Sequence, residues 1–302
     1  MKILDLFKEN VLIFYLISLF IGFVLHNFSS KLENAIPILV GIQMFFSTFK
    51  IELNQFVNSL KKIKNNIAVL IIHFILLPII LLFLSMYLFR SNELVVAGIV
   101  FIFTLPSAVT NIFFSNLFKG NTNFVLSIVL ISSIISPIAT PLVFYLLTKN
   151  IVRVDFLAIF LKIMLIVVLP LILSNFAKKL SMFNHVKENS DSYASISFVL
   201  FSFIAAGIIF NSEILRNYNL LFSIIIFLTA IFVLLFLAIF LISKKIVNDG
   251  YAISNALLLM RRNTGMGIGI AIGSLNSVTV VLLILYGIIM DIFGLAFRRL
   301  VK

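Results

Sequence analysis

The strongest constraint on the fold of this 302-residue chain is a series of long apolar stretches. A helix needs about 20 apolar residues to cross a hydrocarbon layer about 30 Å thick. Hydrophobic residues make up 62% of the chain and charged residues only 11%, whereas an ordinary soluble domain has about a quarter of its residues charged. The sequence therefore predicts an all-α integral membrane protein in a lipid bilayer. Ten transmembrane helices are predicted, at 10–28, 34–49, 65–89, 95–118, 122–147, 154–177, 194–211, 219–243, 252–275 and 277–297.

The basic residues indicate how these ten helices are oriented. With ten spans, both termini and every second connection lie on one side of the membrane. That side holds 15 of the 23 Lys and Arg residues, against five on the other side. Cytoplasmic connections carry the excess of Lys and Arg, so we expect a multi-pass protein of the plasma membrane with both termini in the cytoplasm. This orientation signal accounts for the net charge of +12, and we expect no nucleic-acid partner.

Polar and turn-forming residues interrupt the fourth and ninth predicted helices, at 105–111 and 261–267. The asparagines of these two breaks are 152 residues apart, close to half the chain. Two units of five helices must enter the membrane in opposite directions, which is the inverted-repeat plan of secondary transporters. We therefore predict a first repeat over 1–150 and a second, inverted repeat over 151–302. A cavity between the breaks would satisfy the N–H and C=O groups that the open helices free.

The side chains at the two breaks are the candidate substrate ligands. The N-terminus of a half-helix attracts an anion through its free N–H groups and its dipole, and a guanidinium offers forked donors to a carboxylate. An Arg at the bilayer centre costs about 2.5 to 3.5 kcal/mol and is rarely kept there without a role. Alternatively, one Arg extends to the lipid headgroups and the other bonds to freed carbonyls at the break. We predict that a small organic anion is bound by Thr110, Asn111, Arg261, Arg262, Asn263, Thr264 and Gly265.

Two other ionisable residues are candidates for coupling transport to protons. His73 is either a buried, hydrogen-bonded histidine or a titrating group, because the ordinary imidazole pKa is about 6.5. Asp291 is the only carboxylate well inside a predicted helix. It is either the counter-ion of a buried Arg, a proton carrier or a carboxylate at the membrane interface. The chain has no Cys, which excludes thiolate metal sites and redox chemistry, and we expect no cofactor.

Several short motifs occur in an order and spacing that cover most of the chain. They are Gly41 to Phe49, His73-Phe74-Ile75-Leu76-Leu77-Pro78, Pro106-Ser107-Ala108-Val109-Thr110-Asn111, Lys119-Gly120-Asn121, Ser136-Pro137-Ile138-Ala139-Thr140-Pro141 and Asn263-Thr264-Gly265. Together they resemble the bile acid:sodium symporter family, the SBF-like transporters. The resemblance implies a secondary transporter that works by alternating access. It also implies a panel of helices 1, 2, 6 and 7 and a core of helices 3–5 and 8–10, in which the broken helices 4 and 9 cross at the site.

The residues that the resemblance assigns to sodium binding are largely replaced. It implies an acidic residue a few positions before Asn263, and the matching position here is Leu258 or a neighbour within 256–260, where no acidic residue stands. It implies a glutamine where His73 stands, and hydroxyl groups at Val125 and Val129. Sodium is a hard cation that needs several oxygen ligands. We therefore do not expect coupling to sodium, and we expect that a guanidinium of the second break takes the place of the cation.

Other functions are weighed against this interpretation. Related inverted-repeat carriers export auxin-like organic acids or arsenite, although the arsenite carriers typically use a Cys that this chain lacks. A channel or a structural membrane protein would account for the apolar helices but not for the matched breaks. An intramembrane enzyme is excluded, because the chain has no paired intramembrane aspartates and no His-Glu-x-x-His motif.

Overall fold

A computed structural model of the protein describes residues 10–49 and 63–300, and within these ranges every named element is a helix. Two π-helical turns, Ile72–Leu76 and Met164–Val168, lie within the helical stretches 63–88 and 156–177. The all-helical fold class is confirmed. The α-helices are α1 (Val11–Val24), α2 (Ile36–Ser47), α3 (Ile63–Ile71), α4 (Leu77–Leu88), α5 (Glu93–Thr104), α6 (Asn111–Leu117), α7 (Thr122–Thr148), α8 (Phe156–Ile163), α9 (Leu169–Ala177), α10 (Asn184–Phe210), α11 (Tyr218–Lys244), α12 (Asp249–Met260), α13 (Thr264–Ala271) and α14 (Ser277–Leu300), with a short helix at His26–Ser29 and 3₁₀ turns at Ser30–Ala35, Ser181–Phe183 and Glu213–Arg216.

Six helical stretches of the described residues are long and apolar enough to cross a membrane. A seventh results if Ile13–Val24 and His26–Ser47, which are bent by 92° relative to each other, are counted as one broken span. The chain is therefore a multi-pass membrane protein, while the count of ten spans and their inverted arrangement stay predictions. The six stretches are Asn66–Leu88, Thr122–Thr148, Phe156–Ala177, Asn184–Phe210, Tyr218–Lys244 and Ser277–Gly294.

The bend between α1 and α2 is stabilised by hydrogen bonds and by close packing on α10. The Ser29 hydroxyl donates to the carbonyl of Gly22 at 2.9 Å, and the side-chain amide of Asn211 donates to the carbonyl of His26 at 3.1 Å. A Cβ atom added at Gly22 would overlap the carbonyl oxygen of Phe203 in α10 and would lie 2.9 Å from its carbonyl carbon. The missing side chain therefore lets α1 and α10 approach each other.

The π-helical turn before α4 leaves one backbone carbonyl free. The N–H of Leu77 bonds to the carbonyl of Ile72, five residues earlier. The next bond of this series would join Pro78 to His73, but proline has no N–H group. The carbonyl oxygen of His73 is therefore available to a donor from outside its own helix.

The structure shows both predicted helix breaks, and one of them is shorter than predicted. Residues 105–110 separate α5 from α6, close to the predicted interruption. The interruption predicted at 261–267 is wrong in length, because α13 begins directly after Asn263. The side chain of Asn263 accepts a hydrogen bond from the N–H of Met266 at 3.1 Å, and such a cap lets a helix begin at once. Thr264 and Gly265 accordingly belong to a helix.

Substitution of Gly22 by Ala is expected to destabilise the protein by about 1 to 3 kcal/mol, because the added methyl group must push α1 away from α10. Gly41→Ala is the matched control, since an added Cβ there lies 3.9 Å from its nearest neighbour, Pro170. Thermal unfolding in one detergent measures both variants. Equal melting temperatures for the two variants would contradict this packing.

Candidate functional site

The two helix breaks lie against each other and pair through their backbones. The N–H of Ala108 donates to the carbonyl of Arg261 at 3.0 Å, and the N–H of Asn263 donates to the carbonyl of Pro106 at 2.9 Å. These bonds form an antiparallel bridge centred on Ser107 and Arg262. Each break thus satisfies polar groups that the other exposes. We refer to residues 105–110 and 261–263 as the helix crossing.

Asn111 connects the two halves of the helix crossing through its side chain. Its amide nitrogen donates to the Ser107 hydroxyl at 2.7 Å and to the carbonyls of Leu257 and Arg261, both at 3.2 Å. Its amide oxygen accepts from Nε of Arg261 at 3.1 Å. Asn111 is completely buried, so these protein partners replace the water that would otherwise satisfy it.

The guanidinium of Arg261 is buried, but two of the side chains that it contacts are exposed. Nη1 donates to the carbonyl of Met290 at 2.5 Å, and the guanidinium lies 3.8 Å from the ring centroid of Phe114. Nη2 donates to Asp291 at 3.0 Å and lies 3.4 Å from the hydroxyl of Thr110. The side chain of Arg261 is 1% exposed and that of Asp291 is 39% exposed, and Thr110 is exposed as well. Nη2 is therefore the edge of this guanidinium that an anion could reach.

Arg262 lies in a different environment, although it is the next residue. It is completely buried. Nη1 lies 2.5 Å from Nε2 of His73 and donates to the carbonyl of Leu105 at 3.2 Å. Both Nη atoms donate to the carbonyl of His73 at 3.3 Å. Its guanidinium also lies 5.3 Å from the ring centroid of Phe103. Within residues 10–49 and 63–300, Arg262 has no carboxylate partner.

Nε2 of His73 lies close to two groups, Nη1 of Arg262 and the carbonyl oxygen of Leu105 at 2.9 Å. A guanidinium cannot accept a hydrogen bond, so Nε2 accepts from Arg262 when the ring hydrogen lies on Nδ1 and donates to Leu105 when the ring hydrogen lies on Nε2. An imidazolium, with a hydrogen on each ring nitrogen, would place two cations in contact. The imidazole beside Arg262 is therefore neutral.

The structure separates the predicted site residues into groups. Thr110, Asn111, Arg261 and Asp291 form one hydrogen-bonded cluster, which we call the Arg261 cluster. Arg262 and His73 form a second, more deeply buried pair. Asn263, Thr264 and Gly265 start α13, and in the described residues their side chains make no hydrogen bond to either guanidinium. Neither Arg extends to the headgroup region, so only one half of that alternative, bonding to freed carbonyls, is observed.

Some residues of the site were not predicted from the sequence. Phe114 supports the Arg261 guanidinium, and its position three residues after Asn111 on α6 is a signal that could have identified it. Tyr286 donates to the carbonyl of Met260 at 2.6 Å, which satisfies the end of α12. Lys162 donates to the carbonyl of Ile270 at 3.3 Å and also to that of Ile272, at the end of α13. No local pattern marks these last two contacts, because their partners lie on other helices.

The positions that the resemblance assigns to sodium binding pack into an apolar cluster. Leu258, Val125 and Val129 are almost completely buried, and they pack with the side chains of Leu70 and Phe74. Hydrocarbon therefore occupies the space that oxygen ligands would need.

Comparison with known proteins identifies a transporter family. The model of the SBF-like CPA transporter family matches residues 9–288. The uncharacterized sodium-dependent transporter YocS of Bacillus subtilis (strain 168) is 24% identical over 255 residues, which cover 83% of this chain and 78% of YocS. The uncharacterized protein YbaS of the same organism is 24% identical over 153 residues, which cover 51% of this chain and only half of the length of YbaS.

Substitution of Asn111 by Ala is expected to destabilise the protein by about 1 to 3 kcal/mol, because Nε of Arg261 then lacks its acceptor in a buried place. Asn116→Ala, on the exposed side of the same helix, is the control and should change stability by no more than about 0.5 kcal/mol. Thermal unfolding of the purified variants measures both effects. A melting temperature of Asn111→Ala equal to that of the control would show that the side-chain connection is dispensable.

Proposed function

The chain belongs to the SBF-like CPA transporter family, and from this premise we propose that it carries a small organic anion across the membrane by alternating access. Membership makes it a transporter rather than an enzyme. The observation that carries the proposed substrate class is the Arg261 cluster, where one edge of a buried guanidinium meets exposed groups. An anionic group binds to a guanidinium more strongly than a neutral one does, and a carboxylate also matches its forked geometry.

We propose that ten helices form two inverted repeats, 1–150 and 151–302. In this arrangement α1 and α2 are separate spans, and each repeat contributes one broken helix to the helix crossing. The backbone pairing of the two breaks supports this proposal, because a site between matched broken helices is the plan of inverted-repeat transporters. The panel consists of the predicted spans 1, 2, 6 and 7, which are residues 10–28, 34–49, 154–177 and 194–211. The other six predicted spans form the core. In this proposal the protein lies in the plasma membrane and both of its termini are in the cytoplasm.

The two short half-helices differ in their surroundings, which supports a conformation open on one side. A Cβ atom added at Gly269 in α13 would lie 3.3 Å from Ile166 and 3.6 Å from Pro37, so proposed panel helices cover α13. The start of α6 is different, because Thr110 and Phe113 are exposed. We propose that this conformation opens on the cytoplasmic side, where α6 ends in the predicted orientation.

We propose further that transport does not require sodium. The positions that the resemblance assigns to sodium binding hold the hydrocarbon side chains of Leu258, Val125 and Val129. Arg262 also donates to carbonyl oxygens that could otherwise bind a metal cation. A sodium ion about 4 Å from a guanidinium would be repelled by roughly 4 kcal/mol at an effective dielectric constant of 20. A fixed positive charge would thus replace the mobile one. Sodium-coupled symport is the second candidate function, because YocS carries the name of a sodium-dependent transporter.

An anion that binds at Arg261 should raise the melting temperature of the purified protein, because a ligand stabilises the state that it binds. The ligands to test are acetate, lactate, pyruvate, succinate and benzoate, each against chloride at equal ionic strength. Arg261→Gln should abolish the shift. Lys244→Gln, which removes an exposed cation, should preserve it. A folded Arg261→Gln protein with the wild-type shift would exclude this site.

Uptake of the stabilising anion into proteoliposomes should be unchanged when potassium replaces sodium on both sides, because no sodium ligand set is available at the assigned positions. The comparison uses the same protein preparation, the same anion gradient and vesicles without protein as the background. Loss of uptake on removal of sodium would instead support the symport that the name of YocS suggests.

A further inference from the structure

The carboxylate that pairs with Arg261 belongs to the protein itself. Asp291 on α14 accepts from Nη2 of Arg261 at 3.0 Å. This is the same edge of the guanidinium that we assign to the substrate, so two carboxylates would compete for it. The inference below rests on the proposed function, because it concerns the ligand exchange at that site.

We propose that Asp291 is an internal competitor of the substrate, which binds Arg261 when the site is empty and is displaced by the carboxylate of an incoming anion. The substrate class that follows is an organic acid with at least one ionised carboxyl group.

The other bonds of Arg261 restrict the exchange to one edge. Nε is bound to Asn111, and Nη1 is bound to the carbonyl of Met290. Both acceptors are held by the protein. The remaining contacts of the guanidinium edge, Thr110 and Asp291, reach exposed regions. A carboxylate that replaces Asp291 could therefore bind Nη2 together with the Thr110 hydroxyl, without breaking the bonds that position the guanidinium.

The two members of the ion pair differ in how much of each side chain the protein covers. The side chain of Asp291 is 39% exposed, whereas that of Arg261 is 1% exposed. In the conformation open to the cytoplasm that we propose above, water solvates the displaced carboxylate but does not reach the guanidinium. A buried charge that loses its partner is strongly destabilised. Loss of Asp291 from Arg261 without a replacement is therefore costly, and the carboxylate of the substrate can provide that replacement.

This requirement determines how the carrier can return after it releases its substrate. Alternating access includes a state in which the site is closed from both sides. When Asp291 is bound to Arg261, the charge of the empty site is neutralised and the site can close from both sides. The carrier can then return without a substrate, which permits net transport. Without the Asp291 carboxylate, only the loaded carrier would pass through the closed state, and transport would be restricted to exchange of one anion for another.

The test compares net uptake with exchange in proteoliposomes, with radiolabelled acetate, lactate, pyruvate, succinate and benzoate as probes. Empty vesicles report net uptake, and vesicles preloaded with the same unlabelled acid report exchange. Asp291→Asn should retain exchange and lower the ratio of net uptake to exchange by at least about tenfold. Its half-saturating acid concentration in the thermal shift should fall, because the competitor is absent.

Controls separate charge from folding. Asp249→Asn removes the exposed carboxylate that pairs with Lys244 and should behave as the wild type, while Asp291→Glu should retain net uptake. If Asp291→Asn does not fold, Asp291→Ser takes its place.

Unchanged net uptake in a variant without the carboxylate would overturn the inference while leaving the proposed function intact. Loss of exchange in a folded variant, or failure of both neutral variants to fold, would also overturn it, because Asp291 would then be needed for binding or folding. A wild-type protein that moves none of the five acids in either assay would refute the proposed function itself.

Discussion

The backbone pairing of the two helix breaks is the interaction on which the rest of the site depends. In a bilayer there is no water to satisfy the N–H and C=O groups of an open helix, so each must find a partner in the protein. Pro106 and Ala108 on one break and Arg261 and Asn263 on the other provide these partners for each other. Each break thus supplies the partners that the polar groups of the other require. This pairing places the two arginines at the point where the two breaks meet.

The helix crossing holds two adjacent cations in different ways. Arg261 has a carboxylate, a cation–π partner and an amide oxygen, so its charge is neutralised locally. Arg262 has carbonyl oxygens, a neutral imidazole and an aromatic ring. Dipoles stabilise a buried cation less than a carboxylate does, and the protein retains Arg262 at this cost. The two roles that we propose follow from this difference. Arg262 provides a fixed positive charge, and Arg261 exchanges one carboxylate for another.

The carbonyl groups around Arg262 are available because of local features of the sequence. Pro78 removes one N–H from the π-helical turn and frees the carbonyl of His73, which then accepts from both Nη atoms of Arg262. Leu105, the first residue after α5, provides a second carbonyl. Two ordinary helix irregularities, a proline and a helix end, thus provide oxygen acceptors for a cation without any acidic residue. The neighbouring cluster around Leu258 consists of apolar side chains.

Much of the fold could be predicted because hydropathy and helix breaking are local properties. Twenty apolar residues indicate a transmembrane helix wherever they occur, and the proline and polar residues at 105–111 indicated a break that the structure confirms. The length of the second break could not be predicted from these rules, because it depends on whether the Asn263 side chain caps the next helix. The partners of the arginines were also beyond the sequence. Arg261 and Arg262 lie in the extended backbone of the break, where adjacent side chains point to opposite sides, so Arg261 reaches Asp291 on α14 while Arg262 reaches His73 before α4. The sequence alone determined that two cations stand at a helix break, and only the tertiary structure decided which of them has a carboxylate, because that partner comes from a helix that local patterns cannot place.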